Sequence, residues 1–312
     1  MRTLLSAATL LIASAIGGTA QADQPLVTVD WLKANLGKPN VVVLDVRSPG
    51  KGDPADLFEK AHIPGAVHAD YAKAGWRAKI DGVPGMLPPK ADLEKLIGGL
   101  GIDNKSHVVI VPAGIDSTEF GTATRVYWTF KVVGHDQVSI LAGGFRAWTA
   151  DRTATLEAGP RAPKAKTFVA TIRPHYLATK TEVEQALKDG TPLIDARPAA
   201  QYEGKSKSDV VKANGTLPGA VNLEHSKLVS ADSGKFASAD TVKGLLAKLG
   251  VKSEGKEIAF CNTGHWASVA WFAASEIAGN KDAKMYDGSM AEWTVDPAHP
   301  VEVKAQPAEA KK

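Results

Sequence analysis

Short apolar runs recur along the chain, each closed off by Gly, Pro or a polar residue. Examples are Val41-Val42-Val43-Leu44-Asp45-Val46-Arg47, Val108-Val109-Ile110-Val111-Pro112 and Ile258-Ala259-Phe260-Cys261. Such runs predict buried strands. Between them lie stretches of helical character at 90–98, 241–249 and 266–277, the last offering Val269, Trp271, Phe272 and Ile277 as buried positions. Strand and helix alternating in this way predict α/β domains, each a mainly parallel sheet flanked by helices.

The pattern occurs twice. The run at Val41–Arg47 is echoed by Pro192-Leu193-Ile194-Asp195-Ala196-Arg197, and Ala61-His62-Ile63-Pro64-Gly65-Ala66-Val67 by Gly215-Thr216-Leu217-Pro218-Gly219-Ala220-Val221. A third pair sets Val108 to Pro112 against Glu257 to Cys261. A fourth sets Leu141-Ala142-Gly143-Gly144-Phe145-Arg146-Ala147-Trp148 against Tyr286-Asp287-Gly288-Ser289-Met290-Ala291-Glu292-Trp293. Matched segments in one order at a nearly constant offset mark a duplication, so the chain divides into two like domains at 23–150 and 175–295. The stretch 151–174, with Ala-Gly-Pro-Arg-Ala-Pro-Lys-Ala-Lys, reads as an exposed linker. The Pro-, Ala- and Lys-rich 296–312 reads as a flexible tail.

Composition adds a compartment. Met1-Arg2 precedes an apolar run from Leu4 to Ile16 and an Ala20-Gln21-Ala22 exit, a run too short to span a bilayer. Residues 1–22 are therefore expected to be a cleaved signal peptide, and the product a periplasmic or secreted protein. A net charge of +3 leaves no footprint for nucleic acid or an anionic membrane, so neither is expected as a partner.

The single cysteine, Cys261, stands at the end of an apolar run. It is followed by the turn Asn262-Thr263-Gly264 and then by the predicted helix. Backbone N–H groups and the helix dipole at such a place favour a thiolate, which makes Cys261 a candidate nucleophile. A lone cysteine is equally read as a small buried hydrophobe. In an oxidising compartment it has no second thiol in the chain to pair with.

Taken together, Asp-x-Arg, His-Ile-Pro-Gly-Ala, the strand-Cys-loop-helix segment and Gly-Gly-Phe-x-x-Trp resemble the tandem-domain rhodanese family of sulfurtransferases over nearly the whole mature chain. The resemblance implies an inactive first domain, where Pro112 stands in the thiol's place, and a catalytic second domain. It implies that Cys261 takes up a sulfur atom as a persulfide inside a cup formed by the backbone of Asn262, Thr263, Gly264, His265, Trp266 and Ala267. The donor would be thiosulfate or 3-mercaptopyruvate, the acceptor a thiol or cyanide, and a partner protein could take the acceptor's place. No cofactor and no metal is implied.

Asn262 and Thr263 replace the two cations that thiosulfate-using members tend to carry after the cysteine. Thr263 keeps the hydroxyl of the mercaptopyruvate-using branch. By resemblance His62, oriented by Asp53 or Asp56, would relay a proton to the departing enolate. The family's substrate arginine is replaced by Gln201, which leaves Lys205 and Lys207 as the nearest cations. His265 is read as a source of positive potential, as a contact for the acceptor, or as a space-filler. Asp45 with Arg47, and Asp195 with Arg197, recur in both copies and read as salt bridges, although Arg197 is also placed to face the pocket. Trp148 and Trp293 read as core. Ala267, six residues after Cys261, lacks the arginine of a Cys-x5-Arg phosphatase. Two rivals remain open at this point: a non-enzymatic persulfide carrier, and a pseudoenzyme with a buried, inert thiol.

Overall fold

A computed structural model describes residues 24–304. The first half contains strands β1 (Leu26–Val27), β2 (Val41–Asp45), β3 (Val67–His68), β4 (Ala78–Ile80), β5 (Val83–Met86), β6 (His107–Val111) and β7 (Val138–Leu141). Its helices are α1 (Val29–Asn35), α2 (Leu57–Lys60), α3 (Lys90–Gly99), α4 (Ser117–Val132) and α5 (Gly144–Ala150). The second half contains β8 (Leu177–Ala178), β9 (Leu193–Asp195), β10 (Val221–Asn222), β11 (Glu257–Phe260) and β12 (Ala283–Tyr286). Its helices are α6 (Lys180–Asp189), α7 (Ala199–Tyr202), α8 (Ala239–Lys248), α9 (His265–Phe272) and α10 (Ser289–Trp293).

Each half builds one parallel five-stranded sheet, in the order β1-β7-β6-β2-β3 in the first and β10-β9-β11-β12-β8 in the second. Read from opposite edges, the two orders correspond strand for strand. The expected α/β architecture, two tandem domains with mainly parallel sheets flanked by helices, is what the chain forms. The central strands are buried on both faces, which is why they read as continuous apolar runs. The first half adds an antiparallel pair, β4 with β5, where the second has only the bridge between Val229 and Phe236.

Helix ends follow from their caps. Thr179 and Glu182 form a reciprocal capping box at α6, and Asp116 and Ser238 cap α4 and α8. The helix predicted over 266–277 is α9 followed by a π-helical turn at Ala273–Ile277. Its Val269, Trp271 and Phe272 are buried and Ile277 partly so.

Residues 151–174 are mostly exposed, yet they do not swing free. Lys166 donates to the Gly98 carbonyl, Thr171 to that of Val133, and Phe168 and Ala170 are buried, so the linker is a strap lashed to the first half. The flexible tail expected from residue 296 is corrected as far as the structure describes it. Glu302 exchanges backbone hydrogen bonds with Thr216, and His299 stacks on Trp293. This docking repeats that of Glu157 on His62 in the first half: the carboxylates of Glu157 and Glu302 accept from the equivalent N–H groups of Gly65 and Gly219. Residues 305–312 and the signal peptide expected at 1–22 lie outside the described residues.

One apolar core runs through both halves. It joins Leu44, Phe120, Trp128 and Phe130 of the first to Ala259, Trp271, Phe272 and Met285 of the second, with α4 packed against α9.

Candidate active site

Strand β11 ends at Phe260 and the chain leaves the sheet at Cys261. Gly264, with φ of 74°, turns it into α9, and a side chain there would strike the Arg125 guanidinium. The loop is pinned from beneath by Ser289. Its hydroxyl accepts from the Cys261 N–H at 3.0 Å and the Gly264 N–H at 3.1 Å, and donates to the Tyr286 carbonyl. Ser289 does this from a left-handed conformation, φ of 50°, at the position where the first copy has Gly144 at φ of 60°. A residue other than glycine kept there marks a place where the side chain is worth the backbone strain. Because the Gly264 N–H is spent on Ser289, the expected cup of loop amides is one donor short.

Cys261 is 1% exposed, and what exposure it has opens into a cleft of about 660 Å³ between the two halves. The thiol is lodged in a wall, with Asn262, Thr263, His265 and Trp266 beside it; Ala267 is buried behind them. From the first half the cleft takes Ser48, Tyr71, Arg77, Pro84, Thr118 and Thr122, and the carboxylates of Asp116 and Glu119.

The first-half groups hold the loop directly. Arg77 donates through Nη2 to Thr263 Oγ1 at 3.0 Å and through Nη1 to the Tyr71 hydroxyl at 3.4 Å. The Tyr71 hydroxyl lies 2.8 Å from His265 Nδ1, and His265 Nε2 lies 2.8 Å from the Thr118 carbonyl. A carbonyl only accepts, so Nε2 carries the hydrogen and Nδ1 accepts from Tyr71. Burial, reinforced by the Arg77 and Arg125 charges, pushes His265 down to about 3, so its ring is neutral at ordinary pH. His265 is therefore not the source of positive potential considered from the sequence; it packs between the halves and accepts a hydrogen bond. Burial likewise raises the Tyr71 phenol, against the pull of Arg77, so Tyr71 keeps its proton. Beneath the loop, Arg125 pairs with Asp287 at 2.6 Å across the halves and donates to the Gly85 carbonyl.

Several expectations are corrected. His62 is fully buried outside the cleft, stacked on Phe58 and donating through Nδ1 to the Phe58 carbonyl, so it cannot relay a proton to a substrate. Asp53 accepts from Gly50 N–H and Asp56 pairs with Lys60, both exposed and neither on His62. Arg197 is fully buried, forks onto Asp195 and reaches the Gly215 carbonyl; like Arg47 on Asp45, it is structural. Lys205 pairs with Glu203 and Lys207 donates to the Val211 carbonyl, and neither lines the cleft. Gln201 accepts from the Asn262 side chain at 2.8 Å. Trp266 stacks on His225 and donates to Thr118 Oγ1.

Arg77, Tyr71, Thr118, Arg125 and Ser289 escaped the sequence reading. Only Ser289 left a signal, its mismatch with Gly144 in the internal alignment; Arg77 and Tyr71 lie in a stretch with no matched partner.

Comparison with known proteins covers both halves of the chain. The signature described as Rhodanese-like domain matches residues 28–151 and 179–296. A putative thiosulfate sulfurtransferase of Haloferax volcanii is 30% identical over 285 residues, covering 87% of this chain and 94% of the relative. A mitochondrial thiosulfate/3-mercaptopyruvate sulfurtransferase of Arabidopsis thaliana is 28% identical, covering 91% of this chain and 79% of the relative. The crystal structure of SseA from Escherichia coli, described among 3-mercaptopyruvate sulfotransferases, aligns with a TM-score of 0.73 at 27% identity, covering 85% of this chain and 98% of that one.

Proposed function

The chain belongs to the tandem-domain rhodanese family of sulfurtransferases, and from that premise we propose that it moves a sulfane sulfur from a small anionic donor to a thiophilic acceptor through a persulfide on Cys261. One observation carries the reading. The chain's only thiol sits where a strand passes through a tight loop into a helix N-terminus, and it opens into a cleft that also holds a guanidinium.

With thiosulfate, the Cys261 thiolate attacks the outer sulfur, the bond from that sulfur to the sulfonate breaks, and its electron pair leaves with sulfite. With 3-mercaptopyruvate, the carbon–sulfur bond breaks instead. Its electron pair leaves on carbon as the pyruvate enolate, and the donor's thiol proton ends on that carbon. Either way Cys261 holds a persulfide anion, and loop amides left over by the helix start favour its terminal charge. A thiol or cyanide then attacks the terminal sulfur and restores the thiolate. The neutral hydroxyls of Tyr71 and Thr263 would pass a proton to the enolate in the second case; sulfite requires none.

Intact-protein mass spectrometry after incubation with each donor, without acceptor, tests the reading. The wild type is expected to gain the mass of one sulfur, lose it on addition of cyanide, and Cys261→Ala to gain none. A wild type that turns over while Cys261 never carries sulfur overturns it.

A further inference from the structure

We infer that Arg77, contributed by the thiol-less first half, anchors the anionic end of the sulfur donor. The inference rests on reading Cys261 as the sulfur-accepting atom. The second half supplies no lysine or arginine to the described lining of the cleft: Gln201 stands at the expected arginine's place and is engaged with Asn262, while Lys205 pairs with Glu203 and Lys207 with the Val211 carbonyl, both away from the cleft. Among the described residues lining the cleft, Arg77 is the one lysine or arginine.

Its charge is uncommitted. No carboxylate of the described residues lies within ion-pair distance of Arg77. Its two bonds run to neutral hydroxyls, and its Nε is buried with no acceptor. A half-buried guanidinium with an idle donor is costly unless something negative completes it. The two carboxylates of the same cleft are employed elsewhere: Glu119 accepts from the Ala113 and Gly114 N–H groups, and Asp116 caps α4. They also repel an anion from their own side, which leaves the Arg77 side. Room for the guanidinium is built in at Gly85 on β5, where a Cβ would strike Arg77 Nη2 and stand 2.9 Å from the Thr263 carbonyl. The fork meets the loop two residues beyond the thiol. A carboxylate or sulfonate held there lies in the same cleft as the thiol, so that one donor could meet both.

Two measurements decide it. In steady-state kinetics, Arg77→Gln is expected to raise KM about ten- to a hundred-fold with smaller loss in kcat, the value of a charged hydrogen-bonded contact, and Arg77→Lys to recover part of it. A rise confined to 3-mercaptopyruvate assigns the anchored group as its carboxylate, one confined to thiosulfate as its sulfonate, and both outcomes support the anchor. The second measurement needs no turnover: Cys261 alkylation by anionic iodoacetate relative to neutral iodoacetamide. Arg77→Gln should lower that ratio severalfold, the neutral reagent correcting for any change in thiol reactivity or loop position, whereas Thr263→Ala should keep it. An unchanged ratio in Arg77→Gln overturns the inference. So does an equal fall in Thr263→Ala, because Arg77 would then only be holding the loop. A wild type whose ratio depends on Arg77 but which never takes up sulfur leaves the anchor standing and removes the persulfide reading instead.

Discussion

His265, on the second half, bonds the first half through both of its ring nitrogens, and its titration reports whether that contact exists in solution. The unfolded chain takes a proton on this ring near 6.5, while the native ring refuses it until about 3. Between those values the unfolded state binds more protons, so stability falls as pH falls from 6.5 toward 3. Glu257 works in the opposite direction. Burial raises it to about 7, so the native state holds its proton longer and loses stability as pH rises toward and past 7. Since Glu257 is common to both proteins, the difference between wild type and His265→Gln isolates the histidine. The wild type should lose more Tm between about pH 7 and about pH 4.5 than His265→Gln does. Parallel losses by calorimetry would mean that the ring is free to protonate.

Helices α4 and α9 bring that histidine into place, and Gly121 lets them do so. On a solvated helix Gly→Ala gains about 1 kcal/mol. A Cβ on Gly121 would stand 2.7 Å from His265 Nε2 and 3.0 Å from Cε1, on a ring pinned by hydrogen bonds at both nitrogens. Gly121→Ala is expected to lower both Tm and transfer rate, and in a His265→Ala background to raise Tm instead, a sign change that a double-mutant cycle measures. The same sign in both backgrounds would show that the helices slide rather than clash. At this scale much was legible beforehand. The strands, the helix after Cys261 and the duplication come from local apolar runs and their Gly and Pro borders, which owe little to tertiary context. The partners of the loop were not. A motif match locates His62 along the chain and says nothing of where its ring points, and burial against Phe58 took it inward. Arg77 and Tyr71 reach Thr263 and His265 across almost two hundred positions, from the turn segment just before a hairpin peculiar to the first copy, where neither periodicity nor repetition leaves a trace.

The whole molecule is expected to unfold as one unit, since Phe120, Trp128 and Phe130 of the first half pack in one cluster with Trp271 and Phe272 of the second. The buried pair of Arg125 with Asp287 ties the same seam, and Asp287 also accepts from the Leu87 N–H. Asp287→Ala would strand a charge that is fully buried, at a cost of about 3–5 kcal/mol. Denaturant unfolding should show a single transition, coincident by tryptophan fluorescence and circular dichroism, with its midpoint sharply lowered in Asp287→Ala. Two separated transitions, or an unmoved midpoint, would make the halves independent.

The proline standing at residue 112 therefore has a genetic consequence. A deletion that pruned the thiol-less copy would leave its sister with a bare oily flank and a cleft lacking its guanidinium. The half without a thiol of its own is the half that cannot be discarded, and inheritance must carry the pair together.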